Sequence, residues 1–130
     1  MEVVLDTNAY SDWLRSGIWN REISQASKIL IPVIVLGELY HGFHKGTRFQ
    51  KNETILMDIL SEDLVEVAFL DHEVANQFGK FMTYLQARGK KIPTNDVWIG
   101  AISFLRGASL LSDDEHFDYL PQVTRLRRKA

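Results

Sequence analysis

The sequence predicts an α/β fold built on a central parallel sheet of four to five strands, with helices on both faces. Two observations predict it. Short β-branched or apolar runs alternate with longer stretches of helical periodicity along the whole chain, and strands separated by helices pair in parallel through crossover connections. No repeat, low-complexity stretch or linker interrupts the alternation, so residues 1–130 read as one domain.

The elements follow in order. Val3-Val4-Leu5 is a short buried strand that stops at Asp6. From Ala9 to Leu14 the pattern is helical, with Tyr10, Trp13 and Leu14 on one side. Ile29-Leu30-Ile31 is a second strand, ended by Pro32. Val33 to His44 is a largely apolar helix interrupted by Glu38. Thr47 to Gln50 has capping-box spacing and should open a helix to about Leu60, with Phe49, Leu56, Ile59 and Leu60 inward. Leu64 to Phe69 alternates as a third strand. Asp71 opens an amphipathic helix with Val74, Ala75, Phe78, Phe81, Met82 and Leu85 on one face, and Gly89 ends it. Thr94 or Asn95 should cap the next helix, which is apolar nearly all round and therefore reads as buried. Ser109 to Ser112 is a fourth strand, and Val123 to Leu126 a fifth at an edge. Gly46 and Gly107 punctuate helices.

Composition narrows the class. Apolar residues are 45% and charged residues 25% of 130, an ordinary globular mixture. A chain of this length buries roughly two-thirds of its unfolded surface and needs no staples. There is no cysteine, which excludes disulfides and thiolate metal sites and fits a reducing cytoplasm. The N-terminus lacks the basic and apolar regions of a signal peptide, and no apolar run is long enough for a membrane span. The net charge of −2 is not that of a typical nucleic-acid binder. The distribution matters more than the sum. Arg125, Arg127, Arg128 and Lys129 form one basic group, and Arg88, Lys90 and Lys91 a second. Either suits a phosphate backbone, and either also reads as the solvated end of an element.

Four acids stand in unexpected places. Asp6 ends an apolar strand, Glu38 interrupts an apolar helix, Asp96 opens the most apolar helix, and Asp114 follows the fourth strand. Each Asp alone has an ordinary explanation as a cap, a first-turn acid or a turn residue. Glu38 has no local capping task. In an open parallel sheet the strand carboxyl ends gather at one edge, where ligands bind. Converging carboxylates repel one another, and a divalent cation removes that cost. An all-oxygen donor set suits Mg²⁺ or Mn²⁺, and such ions cut phosphodiesters with activated water. Asp113, beside Asp114, is expected to face solvent.

Four blocks resemble the signature blocks of PIN domains: Leu5-Asp6-Thr7-Asn8; Leu36-Gly37-Glu38-Leu39 followed by Gly42; Asn95 to Ala101; and Leu111 to Phe117. They occur in the family's order and span almost the whole chain. The resemblance implies a three-layer α/β/α PIN-like fold and Mg²⁺- or Mn²⁺-dependent ribonuclease activity. It matches Asp6, Glu38, Asp96 and Asp114 to the family's metal-binding acids. Thr7 and Asn8 match the polar pair that helps orient the first acid, and Ser112 a hydroxyl residue near the site. The length is similar to VapC-type toxins, which are held inactive by a small cognate antitoxin and pair as homodimers. Val35 stands where many relatives have Thr, weakening a polar contact. Gly100 stands where many have Ala, which loosens a packing position.

Other residues are less specific. No two of His41, His44, His72 and His116 have zinc-ligand spacing. His41 lies one turn after Glu38 and could touch the site edge, while His116-Phe117 is expected to anchor the loop after the fourth strand. Tyr10, Trp13, Leu14, Ile18 and Trp19 gather apolar surface near the first helix, a mixture of core and partner surface. In the resembling family this region meets the antitoxin and the second protomer. Three rival readings remain at this stage. An aspartyl-phosphate phosphotransferase usually has a second acid where Asn8 stands. A metal-dependent DNA nuclease and an inactive RNA- or protein-binding PIN module are the others.

Overall fold

The computed structural model describes residues 1–128; Lys129, counted above in the first basic group, lies outside them. Five strands form one sheet: β1 (Glu2–Leu5), β2 (Lys28–Pro32), β3 (Val65–Ala68), β4 (Ser109–Leu111) and β5 (Arg125–Leu126). Their order is β3-β2-β1-β4-β5, and every pairing is parallel. Between them run α1 (Thr7–Ser16), α2 (Asn20–Gln25), α3 (Val33–Lys45), α4 (Phe49–Leu60), α5 (His72–Ala87) and α6 (Thr94–Arg106). A short 3₁₀ turn, Glu115–Tyr119, follows β4.

The order explains the layers. From β1 the chain steps outward to β2 and β3, then returns past β1 to β4. Right-handed crossovers therefore put the helices before β3 on one face and α5 and α6 on the other. The central strand carries the most enclosed residues: Val3, Val4 and Leu5 have no exposed surface. That is the expected state of a parallel strand covered on both sides.

Several local expectations are revised. The capping box at Thr47 does not form. Arg48 occupies the cap position without a side-chain bond, and α4 starts at Phe49. Phe49 packs on Tyr40, Phe43 and His44 of α3, and this aromatic contact sets where the helix begins. Neither Thr94 nor Asn95 caps α6. Pro93 holds that position with an extended ψ, and its carbonyl accepts from Asp96 and Val97. Along α5, Ala75 is exposed and Gln77 is buried instead. In α6, Val97 and Ile99 to Ser103 are buried, but Phe104 and Leu105 emerge at its C-terminal end.

Two short elements, α2 and the 3₁₀ turn, escaped the periodicity. The helix α2 has six residues, too few to show it, and follows Trp19 in a left-handed conformation (φ 78°). Trp19 is buried, whereas Trp13 is only partly so and Leu14 is exposed. At Gly100 the missing methyl is not a loose spot. A β-carbon there would lie 3.3 Å from Leu120 and 3.4 Å from Val123, so the segment after β4 packs directly on α6. Val35 is fully buried in the core.

Candidate active site at the sheet's reversal point

The strand order reverses between β1 and β4, and ligands of open parallel sheets bind outside the carboxyl ends of strands at such a point. Leu5 of β1 is in register with Leu111 of β4. The next residues, Asp6 and Ser112, leave the sheet side by side. Asp6 is buried at the floor, and Ser112 is nearly fully enclosed beside it. The Asp6 carboxylate accepts from the backbone N–H of Ala9 at 2.7 Å, so it also caps α1. It is hydrogen-bonded by Ser112 as well. The Ser112 hydroxyl oxygen in turn accepts from the N–H of Asp114 at 3.0 Å, tying the two acids through one side chain.

Asp114 opens the 3₁₀ turn, its carboxylate accepting from the N–H of His116. The same turn swings the His116 ring inward. Its Nδ1 lies 2.7 Å from Asp96 and 3.0 Å from Asp114. Asp96 sits in the first turn of α6, close enough to feel the charges of Asp114 and Glu38. Glu38, on α3, is the exposed rim of the group. Its carboxylate accepts from the Thr7 hydroxyl at 2.6 Å. The hydroxyl of Thr7 thus orients Glu38 rather than Asp6. Asn8 is exposed and lines an open cavity of about 330 Å³ with Asp12, Trp19, Asp114 and Arg128.

Electrostatics records the crowding. Burial is the main cause that pushes the Asp6 carboxyl up from 3.8 to about 6; bonds from Ser112 and Ala9 oppose it, and Asp114 and Asp96 add to it. Asp96 is raised above its ordinary value, chiefly by burial, with Asp114 and Glu38 contributing and the His116 contact opposing. Among the described residues no Lys or Arg side chain pairs with Asp6, Glu38, Asp96 or Asp114. Three donors, on Asp96, Asp114 and His116, lie within 4.8 Å of one another, a spacing that one cation spans. Burial raises Asp6 and Asp96 above the ordinary carboxylate range, and acids crowded in this way favour a bound divalent ion; the His116 imidazole adds one nitrogen donor to the carboxylate oxygens.

Two expectations change here. Asp113 does not face solvent: its carboxylate accepts from the backbone N–H and guanidinium of Arg128. His116 does more than anchor a loop; Phe117, buried beside it, does the packing. The sequence signal for His116 was its place two residues after Asp114. An Asp that caps a turn through that N–H brings the following side chain to its own side. His41 is exposed on α3.

Known proteins resemble the chain in sequence and in fold. The PIN domain family matches residues 3–122. The chain is similar to Ribonuclease VapC2 of Haemophilus influenzae, with 29% identity covering 88% of this chain and 87% of that protein. It is similar to Ribonuclease VapC4 of Mycobacterium tuberculosis, with 25% identity covering 72% of each. Its fold resembles that in the crystal structure of DNA-bound VapBC from Salmonella typhimurium (TM-score 0.86, 22% identity, 98% of both chains). It also resembles VapBC2 from Rickettsia felis bound to a promoter DNA fragment (TM-score 0.83, 22% identity, 98% of both chains).

The raised Asp6 pKa gives a signed prediction. The folded chain binds this proton more tightly than the unfolded chain does. The resulting stability is complete below about pH 4 and is lost as pH rises through about 6. The change from 3.8 to about 6 corresponds to roughly 3 kcal/mol at 1.36 kcal/mol per pH unit. In Asp6→Asn the amide oxygen keeps the cap but the charge is gone. Urea unfolding in chelator should find the two proteins alike at pH 4 and the Asn variant more stable by up to roughly 3 kcal/mol at pH 8. A difference independent of pH contradicts the assignment.

Proposed function

Because the chain belongs to the PIN domain family, we propose that it is a divalent-metal-dependent endoribonuclease and the toxin of a toxin–antitoxin pair. The single nuclease unit is residues 1–130. The observation that carries this reading is the convergence of Asp6, Asp96, Asp114 and Glu38 at the reversal point, where among the described residues no Lys or Arg forms an ion pair with their carboxylates. Likeness to proteins named as VapC ribonucleases supports RNA as the substrate.

Asp6, Glu38, Asp96 and Asp114, with His116 beside them, are the residues that would hold Mg²⁺ or Mn²⁺. An ion in such a site supplies activated water and neutralises charge at a phosphodiester. The chain's own residues do the rest. Ser112 and the N-terminus of α1 hold the Asp6 carboxylate. Thr7 holds Glu38. The turn after β4 fixes Asp114 and presents His116 to Asp96. Burial of Asp6 keeps water from screening its carboxylate, which strengthens that acid's pull on a bound cation.

The partner reading rests on a second feature. A groove of about 460 Å³ lies at the amino ends of the strands, away from the acids, lined by Trp13, Ile29, Ile59, Leu64 and Val65 with Asp58, Glu62 and Asp63 at its margin. An apolar groove with an acidic rim suits an amphipathic segment carrying Lys or Arg. The expected occupant is a small antitoxin, whose tail would direct an Arg at the carboxylates in place of a cation. Such toxins act in the cytoplasm, and a homodimer is the expected assembly.

Hydrolysis by water leaves a 5′-phosphate and a 3′-hydroxyl, whereas attack by the RNA's own 2′-hydroxyl leaves a 2′,3′-cyclic phosphate. End mapping of cleaved RNA should show the former. Cleavage should stop with a chelator, return with Mn²⁺, and vanish in Asp6→Asn with the circular dichroism unchanged. Cyclic ends, activity in chelator, or cutting of DNA alone contradicts the reading. Co-expression with the neighbouring open reading frame should recover a stable, non-toxic complex with a small protein. A chain purified alone, soluble and harmless to its host, argues against the toxin role.

A further inference from the structure

The fold treats the two basic groups of the sequence differently. The described arginines of the C-terminal group, Arg125, Arg127 and Arg128, are neutralised from within. Arg125 pairs with Asp118 and donates to the carbonyl oxygen of Asp114. Arg127 reaches the same Asp118 at 3.4 Å. Arg128 is bound by Asp113 and by Asp12 at 3.3 Å. These guanidinium groups fasten β5 and the chain beyond it to the body of the protein. They are not a free positive surface.

Arg88, Lys90 and Lys91, in the loop between α5 and α6, are all exposed, and among the described residues none has an ion-pair partner. Their neighbours are aromatic. The Arg88 guanidinium lies 3.6 Å from the centre of the Tyr84 ring, and Lys90 Nζ lies 5.1 Å from that of Tyr119. Tyr119 is 42% exposed, which leaves its ring available for a further contact.

The position of this cluster gives it meaning. The loop runs into Pro93, whose carbonyl caps the turn that bears Asp96. Tyr119 closes the 3₁₀ turn that Asp114 opens. Five residues at a rise of ~2 Å put it about 10 Å from that acid. The Lys90–Tyr119 contact therefore bridges the two elements that carry two of the four acids. A cluster of carboxylates repels a polyanion within a Debye length, about 8 Å at physiological salt. Unpaired cations in the loop that leads into the turn bearing Asp96 offset the repulsion and draw the backbone toward the acids.

We propose that Arg88, Lys90, Lys91 and Tyr119 form the subsite that receives single-stranded RNA beside the bond to be cut. The three cations take backbone phosphates, and an unpaired base stacks on Tyr119. Unpaired cations beside an exposed aromatic ring are the composition of a single-strand platform. A duplex, with its bases already stacked inside, cannot use the ring. This subsite rests on the ribonuclease reading above.

The test is fluorescence anisotropy of a short labelled single-stranded RNA with the intact chain, in chelator so that nothing is cut, over a series of salt concentrations. Lys90→Ala/Lys91→Ala should make the slope of log affinity against log salt shallower by about 1.4, at roughly 0.7 per lost phosphate contact. Tyr119→Ala should weaken binding about 5- to 150-fold, the range for loss of one base–aromatic stack, while Tyr119→Phe retains it. Arg127→Ala, from the neutralised group, should change neither quantity. Circular dichroism and melting confirm that each variant is folded. Loop variants that bind RNA with wild-type affinity and slope overturn the subsite while the nuclease reading stands. So does a loop that loses binding to poly-glutamate but not to RNA, which would mark a site for an acidic protein. A wild-type chain that neither binds nor cuts RNA overturns the nuclease reading and the subsite together.

Discussion

Mutual repulsion among carboxylates is the constraint around which the active edge is organised. Asp6 is buried where the sheet reverses, and Asp96, Asp114 and Glu38 close over it. Left alone, such a group drives protons onto its members, and burial makes this worse by removing water. The chain answers with hydrogen bonds rather than countercharges. The Ala9 N–H, the Ser112 and Thr7 hydroxyls and the His116 N–H each hold one carboxylate in place. The arrangement is costly without a cation and favourable with one, which is the property expected of the proposed metal site.

The rest of the fold serves this geometry. Parallel strands end at one edge, so two residues 108 positions apart, Asp6 and Asp114, emerge as neighbours. The buried faces of α6 and of β4 fix the depth from which Asp96 and Asp114 project. Gly100 lets the segment after β4 lie directly on α6, which brings His116 within reach of Asp96. Arg125 steadies the same segment from the other side by bonding the Asp114 carbonyl. In the proposed reading stability and function conflict here: a neutral residue at Asp6 would favour the empty fold and remove the site.

Much of this was legible from the residues. Apolar runs separated by helical periodicity identified every strand and every long helix, because burial of a continuous face leaves a regular trace. The four acids stood out for the complementary reason: a charge inside an apolar segment has no packing role. Short elements were not legible. Six residues of α2 and five of the 3₁₀ turn carry too little periodicity, and both are fixed by tertiary contacts. The capping residues failed where packing outweighed local hydrogen bonding, as Phe49 did over Thr47. Asp113 and His116 were misjudged because their partners, Arg128 and Asp96, are distant in sequence and are supplied by the fold. The fate of the two basic groups was illegible for the same reason. Both are short runs of Arg and Lys, and among the described residues what separates them is whether acids such as Asp118 and Asp12 are folded against them.

The claim that uncompensated carboxylates build a cation site is tested most directly by calorimetric titration of Mn²⁺ into the metal-free protein and into Asp6→Asn, Glu38→Gln, Asp96→Asn and Asp114→Asn. The account predicts binding to the wild type that weakens by about tenfold or more in Asp96→Asn and Asp114→Asn, in keeping with the sensitivity of metal sites to the groups around them. Unchanged Mn²⁺ affinity in all four variants would contradict it.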